Sequence, residues 1–308
     1  MAFDNAYEAL TEDAGGLGDR WAHGTGFQDA LSGVDDTVPA GVDLTAAARH
    51  VLGLADDALV MAHRLSEWCT HAPELEEEVA LANIALDLLG QARSLLARAA
   101  QLDPGLRPAG VPGHVPDEDA LAFFRAAEDY RNVRLVEAPH GDFGHLVARL
   151  LVFSTWRLAL LDRLSGSRDP VVAAVAAKAV PEVAYHRDHA AGWAVRLGDG
   201  TDESHRRVAE GLAEVWPLVE ELFATTDAER TAVADGTGVD PATTRAEFAD
   251  VLSRVCDQAT LDPPGMDDRG AGDAPAVPRG RTGQHTAALR DLLAEMQSVA
   301  RAHPEGRW

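Results

Sequence analysis

Lysine is nearly missing from this sequence: of 27 basic residues, Lys178 is the one lysine and the rest are arginine. Chemistry that needs a lysine therefore has one candidate, set in an alanine-rich helical stretch. Cysteine is scarce too, with Cys69 and Cys256 only. Two thiols are too few for a disulfide framework or a thiolate metal site, so both read as small core residues in a reducing, cytoplasmic compartment. Positive charge is short overall, since 50 acidic residues against 27 basic ones leave a net charge of −23. Such an excess repels phosphate backbones and anionic lipid, which excludes nucleic acid and membrane surfaces as partners. No apolar run of membrane-spanning length is expected, and MAFDNAYEALTEDAGG does not read as a charged-then-apolar leader. Alternating β-branched runs, phosphate loops, dinucleotide fingerprints and nucleophile–base pairs are absent as well.

What is present is helix. Alanine, leucine, arginine and glutamate dominate, and 46% of the 308 residues are hydrophobic, enough for a substantial core. Residues 1–44 hold nine acids and one base, so −8 of the charge sits there and −15 in the remainder. This acidic, Gly-rich stretch is expected to be a flexible extension, with 45–308 a single helical domain. The apolar spacing predicts helices at about 45–70, 74–101, 117–130, 142–165, 170–197, 202–224, 241–260 and 284–302. Asp117 and Asp169 are the expected N-caps of two of them, the second followed by Pro170 at the first helical position. Stretches 102–116 and 262–283 read as irregular loops, the second one mobile. Short turns near Ala72 and Ser167 fold the long helices into two antiparallel hairpins, predicting an all-α four-helix bundle with C-terminal additions.

Bundles of this kind hold metal pairs with one carboxylate on each of two helices and a Glu-x-x-His pair on each of the others. Residues at i and i+3 share a helix face, so a carboxylate and an imidazole reach one ion together. The helix at 74–101 carries a polar stripe, Asn83, Asp87 and Gln91, through an apolar run. Asp57 and Asp87 lie equally far from the turn near Ala72, hence at one height. Glu182 falls near the same level of the second hairpin, at the head of a stripe with His186, His189 and Trp193. The set is incomplete. Gly90 and Tyr185 stand where i+3 imidazoles are needed, Phe153 and Ser154 stand where a fourth carboxylate belongs, and His186 at i+4 replaces one histidine at best. Asp57 is equally readable as a solvated residue beside Asp56, and Asp87 as a hydrogen-bonded core carboxylate. Pro181 is expected to kink the helix beside Glu182. No catalytic or cofactor-binding residue is assigned, and the positions read as a vestigial metal site.

Four blocks carry a family resemblance: RLSEWCTHAPELEEEVALANIALDLLGQAR (64–93), DEDALAFFRAAEDYRNVRLVEAPHGDFG (117–144), EVAYHRDHAAGWAVRLGDGTD (182–202) and TGQHTAALRDLLAEMQSVARAHPEGRW (282–308). They resemble the structural C subunits (PaaC type) of bacterial phenylacetyl-CoA epoxidases. The likeness runs from about Asp56 to Trp308. It implies a ferritin-like subunit that has lost its di-iron centre and pairs with a homologous catalytic A subunit that keeps the metal. It also implies a small bridging B subunit and, indirectly, a reductase that feeds electrons for epoxidation of the aromatic ring of phenylacetyl-CoA. Two rival readings remain at this point. One is an active di-metal carboxylate oxidase or oxygenase using Asp57, Asp87, Glu182 and His186. The other is a free-standing acyl-CoA binding protein, which the acidic charge disfavours because CoA phosphates call for clustered arginine or lysine.

Overall fold

The structure, a computed structural model, describes residues 33–262 and 279–306. The chain divides into a short unit, Met1–Gly33, and a large one, Val34–Trp308. The predicted extension lies outside the described residues as far as 32, and so does most of the loop predicted at 262–283. Residues 34–43, expected within the flexible extension, belong to the large unit instead. Backbone carbonyls of Asp36 and Thr37 accept from the buried Arg98, and the Asp43 N–H donates to Asp235.

All regular structure among the described residues is helical. Four long helices dominate: α1 (Leu44–Ser66), α2 (Leu75–Leu102), α4 (Phe143–Leu164) and α5 (Pro170–Gly198), with the short α3 (Asp117–Phe123) between the two pairs. Then follow α6 (Asp202–Val215), α7 (Asp227–Ala234), α8 (Arg245–Gln258), α9 (Ala287–Met296) and α10 (Ser298–Ala302). The α1 and α2 helices pack along each other as one hairpin and α4 and α5 as another, with α2 meeting α5 between the hairpins. Around them, α7 covers α1, while α6 and α8 cover α4 and α5.

Local signals explain several helix starts. Asp43, Asp142 and Asp169 each accept backbone N–H bonds of the turn they open, and Pro170 follows the last of them as expected. Asp117 is no cap: Pro116 holds that position and Asp117 begins the helix. Several predicted helices are shorter than their patterns. Residues 202–224 split at Trp216, where Pro217 has no N–H to give and the chain tightens into a 3-10 stretch, Trp216–Phe223. Residues 241–244 are likewise 3-10 before α8, and the 117–130 stretch ends its α-helix at Phe123. The apolar spacing does not predict α7, although its Thr226–Glu229 capping box is a readable signal. By contrast α5 runs through Pro181 as one helix.

Two helices, α2 and α4, are long and apolar enough to pass for membrane spans by length and composition, against the sequence expectation. For α4 the cause is burial, since 89% of the apolar window is inside the protein. For α2 the share is 44%. Gly144 and Gly211 bring α4 and α6 into near-backbone contact: a Cβ on Gly211 would lie 2.7 Å from the His145 Cα.

Candidate functional site

The four long helices meet around one side chain that the sequence reading does not single out. Arg157 of α4 is fully buried, its guanidinium 5.7 Å from the centre of the Phe153 ring. Its Nε and Nη2 donate to Gln91 Oε1 of α2 at 3.1 and 3.0 Å, and Nη1 donates to the Leu54 carbonyl of α1 at 3.3 Å. Gln91 in turn donates to Glu182 Oε2 of α5 at 3.1 Å. One guanidinium, through one amide, thus links all four helices at a single level. Burial draws the Arg157 pKa down to about 10, with Asp57 opposing, so the group stays charged at neutral pH. The sequence does hold a signal for it: Arg157 is the one charge in the apolar run 150–161. A charge in the middle of such a run needs buried acceptors.

The predicted residues distribute around this centre without converging. Asp87 Oδ2 and His186 Nε2 pair at 3.0 Å, with the imidazole buried and the carboxylate side chain partly exposed. Burial lowers the His186 pKa and Asp87 opposes it. Glu182 sits between Gln91 and the Lys178 ammonium, 3.7 Å away, and burial raises its pKa against the Gln91 hydrogen bond. Ser154 is buried and turns its hydroxyl to the Leu150 carbonyl at 2.6 Å. Tyr185 is exposed, and a Cβ on Gly90 would meet nothing within 4 Å. His189 and Trp193 both reach Glu77, at 3.2 and 2.8 Å. Among the described residues no three His, Cys, Asp or Glu side chains come together as a metal-binding group.

Asp57 is not a solvated residue, and it does not face Asp87. It is fully buried, as is Asp56, and both are held by arginines distant in sequence. Arg281 grips Asp57 with two bonds, Nη1 to Oδ1 at 3.0 Å and Nη2 to Oδ2 at 2.7 Å, while the Val133 N–H donates to Oδ1 at 2.8 Å. The same guanidinium donates to the Gly53 and Arg131 carbonyls and lies 3.4 Å from Glu229. Burial works against its charge, but Asp57 and Glu229 outweigh that and hold its pKa above the ordinary value. Asp56 is gripped in the same way by Arg125, at 2.5 and 3.0 Å. Arg281 belongs to the stretch 262–283 expected to be a mobile insertion. Its described end is instead an anchor, because a buried bidentate ion pair fixes it to α1.

Comparison with known proteins adds identity to this geometry. The family model of phenylacetic acid catabolic proteins, PaaA_PaaC, matches residues 34–308, starting where the large unit starts. The C subunit of the 1,2-phenylacetyl-CoA epoxidase of Escherichia coli (strain K12) is 41% identical over 259 residues, covering 84% of this chain and 98% of that protein.

Proposed function

The chain belongs to the family of phenylacetic acid catabolic proteins, and from that premise we propose that it is a non-catalytic, structural subunit of a phenylacetyl-CoA epoxidase. Its fold is read as a ferritin-like four-helix bundle formed by α1, α2, α4 and α5, whose centre is a protein–protein network in place of a metal pair. The observation that carries this reading is Arg157: its guanidinium fills the interior at the level where facing carboxylates would hold two cations. The residues there do not fit a di-metal centre. Asp87 brings one imidazole, Glu182 is bonded to an amide and an ammonium, and Asp57 is spent on Arg281 and Val133. A fixed positive charge in a low-dielectric interior repels a second cation and stabilises nearby carboxylates without one.

The work of the chain's own residues is then mechanical and electrostatic. They hold a rigid helical body against the subunit that carries the di-iron chemistry, in a cytoplasmic complex with the small bridging subunit. Support comes from the naming of the relative as an epoxidase subunit and from near-complete coverage of that relative. The test is to co-express the chain with the catalytic subunit and analyse iron and manganese in each purified component. A stable complex, with metal following the partner and less than about a tenth of an ion per copy of this chain, is the expected result. Near-stoichiometric metal in the isolated chain, lost in Asp87→Ala together with oxygen consumption, would establish the rival di-metal oxidase instead.

A further inference from the structure

The α2 helix carries an apolar stripe that nothing in the described fold covers. Leu75, Val79 and Leu86 are 70%, 55% and 63% exposed, unusual for large apolar side chains on a helix of this length. With the half-buried Ala82 and Leu89 they follow a spacing of 4, 3, 4 and 3 residues. That is the repeat of a coiled-coil seam, on which a second helix lays knobs into holes. Other sides of α2 are taken: Leu81, Ile84, Ala85 and Leu88 are in the core, and Glu77, Asp87 and Gln91 are turned to α5. A lipid bilayer does not fit a helix buried on those sides, so the apolar length of α2 reflects two packing faces and not a membrane span.

The ends of the seam differ in charge. Glu76 and Glu78 flank its start, while at the far end, some 27 Å away at 1.5 Å per residue, Arg93 is already ion-paired with Glu118 at 3.4 Å. An antiparallel helix with a base in its last turn, the common polarity of helices, sets that base against the two glutamates. The geometry points to an amphipathic helix of another epoxidase subunit, lying antiparallel along Leu75, Val79, Ala82, Leu86 and Leu89. This rests on the subunit reading above and adds the face at which the partner docks. A second copy of this chain would bring another −23 of charge, which disfavours it as the occupant.

The test uses the full chain titrated with the co-expressed catalytic and bridging subunits. Leu86→Glu and Val79→Glu are expected to weaken assembly on the order of 10–30-fold each, as for a desolvated anchor at an interface centre. Val299→Glu, equally exposed on α10, is the control and should stay within about twofold. Circular dichroism and melting of each variant report folding. Thiol labelling of Leu86→Cys in a Cys69→Ser background gives a second readout, expected fast in the isolated chain and protected in the complex. Assembly and labelling unchanged while the wild-type complex forms would refute this face and leave the subunit reading standing. Failure of the wild-type chain to bind any subunit would sink both. Loss of self-association in the variants, or protection that vanishes on deleting residues 1–33, would assign the seam to a second copy or to the chain's own N-terminal segment and overturn the proposal.

Discussion

Replacing Arg281 by Met is the sharpest available probe of what holds this fold together. The substitution keeps most of the apolar stem and removes the guanidinium from a position where it satisfies four groups: the Asp57 carboxylate, the Gly53 and Arg131 carbonyls, and Glu229. Asp57 is then left fully buried with the Val133 N–H as its remaining donor at 2.8 Å. Breaking a buried ion pair from one side costs about 3–5 kcal/mol, because the abandoned charge keeps its desolvation penalty. For a domain of this size that corresponds to a melting temperature lower by on the order of 10 °C. Adding Asp57→Asn removes the orphaned charge, and the amide oxygen can still accept from Val133. The double variant is therefore expected to recover about 1–3 kcal/mol relative to Arg281→Met alone. Urea unfolding of wild type, both single variants and the double variant closes the cycle. A cost below about 1 kcal/mol for Arg281→Met, or a double variant as unstable as the sum of the singles, would refute the ion pair as the anchor of the C-terminal segment.

Two buried groups predict opposite pH slopes. Burial holds His50 down at about 4, with Glu229 opposing; its contribution is complete above the ordinary 6.5 and is lost as pH falls toward 4, by about 3 kcal/mol at most. Burial also pushes Glu221 up to about 7, against its hydrogen bond from Gly280, and this contribution is present below 4.5 and lost as pH rises toward 7. Urea midpoints of the wild type should thus change little between pH 4.5 and 6.5. In the same window His50→Leu should lose stability as pH rises and Glu221→Gln should gain it; parallel profiles for all three proteins would contradict the assignment. Gly211→Ala places a methyl 2.7 Å from the His145 Cα and is expected to cost about 1–3 kcal/mol through separation of α4 and α6, measured by thermal melting. An unchanged melting temperature would show that the two backbones are not in contact in solution.

Much of the architecture is legible in the sequence because it follows from local rules. The Asp169-Pro170 start of α5 and the hairpin turns near Ala72 and Ser167 are written in consecutive residues. So is the continuous apolar character of α4, and the structure follows all three. The polar stripe Asn83, Asp87 and Gln91 is visible for the same reason, since a helix face can be counted off in threes and fours. What cannot be counted is partnership. Asp57 and Arg281 are separated by 224 residues, and Asp56 and Arg125 by 69. A carboxylate on an apolar helix looks identical in sequence whether water, a metal or an arginine will face it. Only tertiary packing decided that Asp57 turns to the C-terminal segment, that Asp87 takes His186, and that Arg157 fills the space between the helices. The physical reason is desolvation: once the core excludes water, each buried charge must take whichever counter-group the fold brings within about 3 Å.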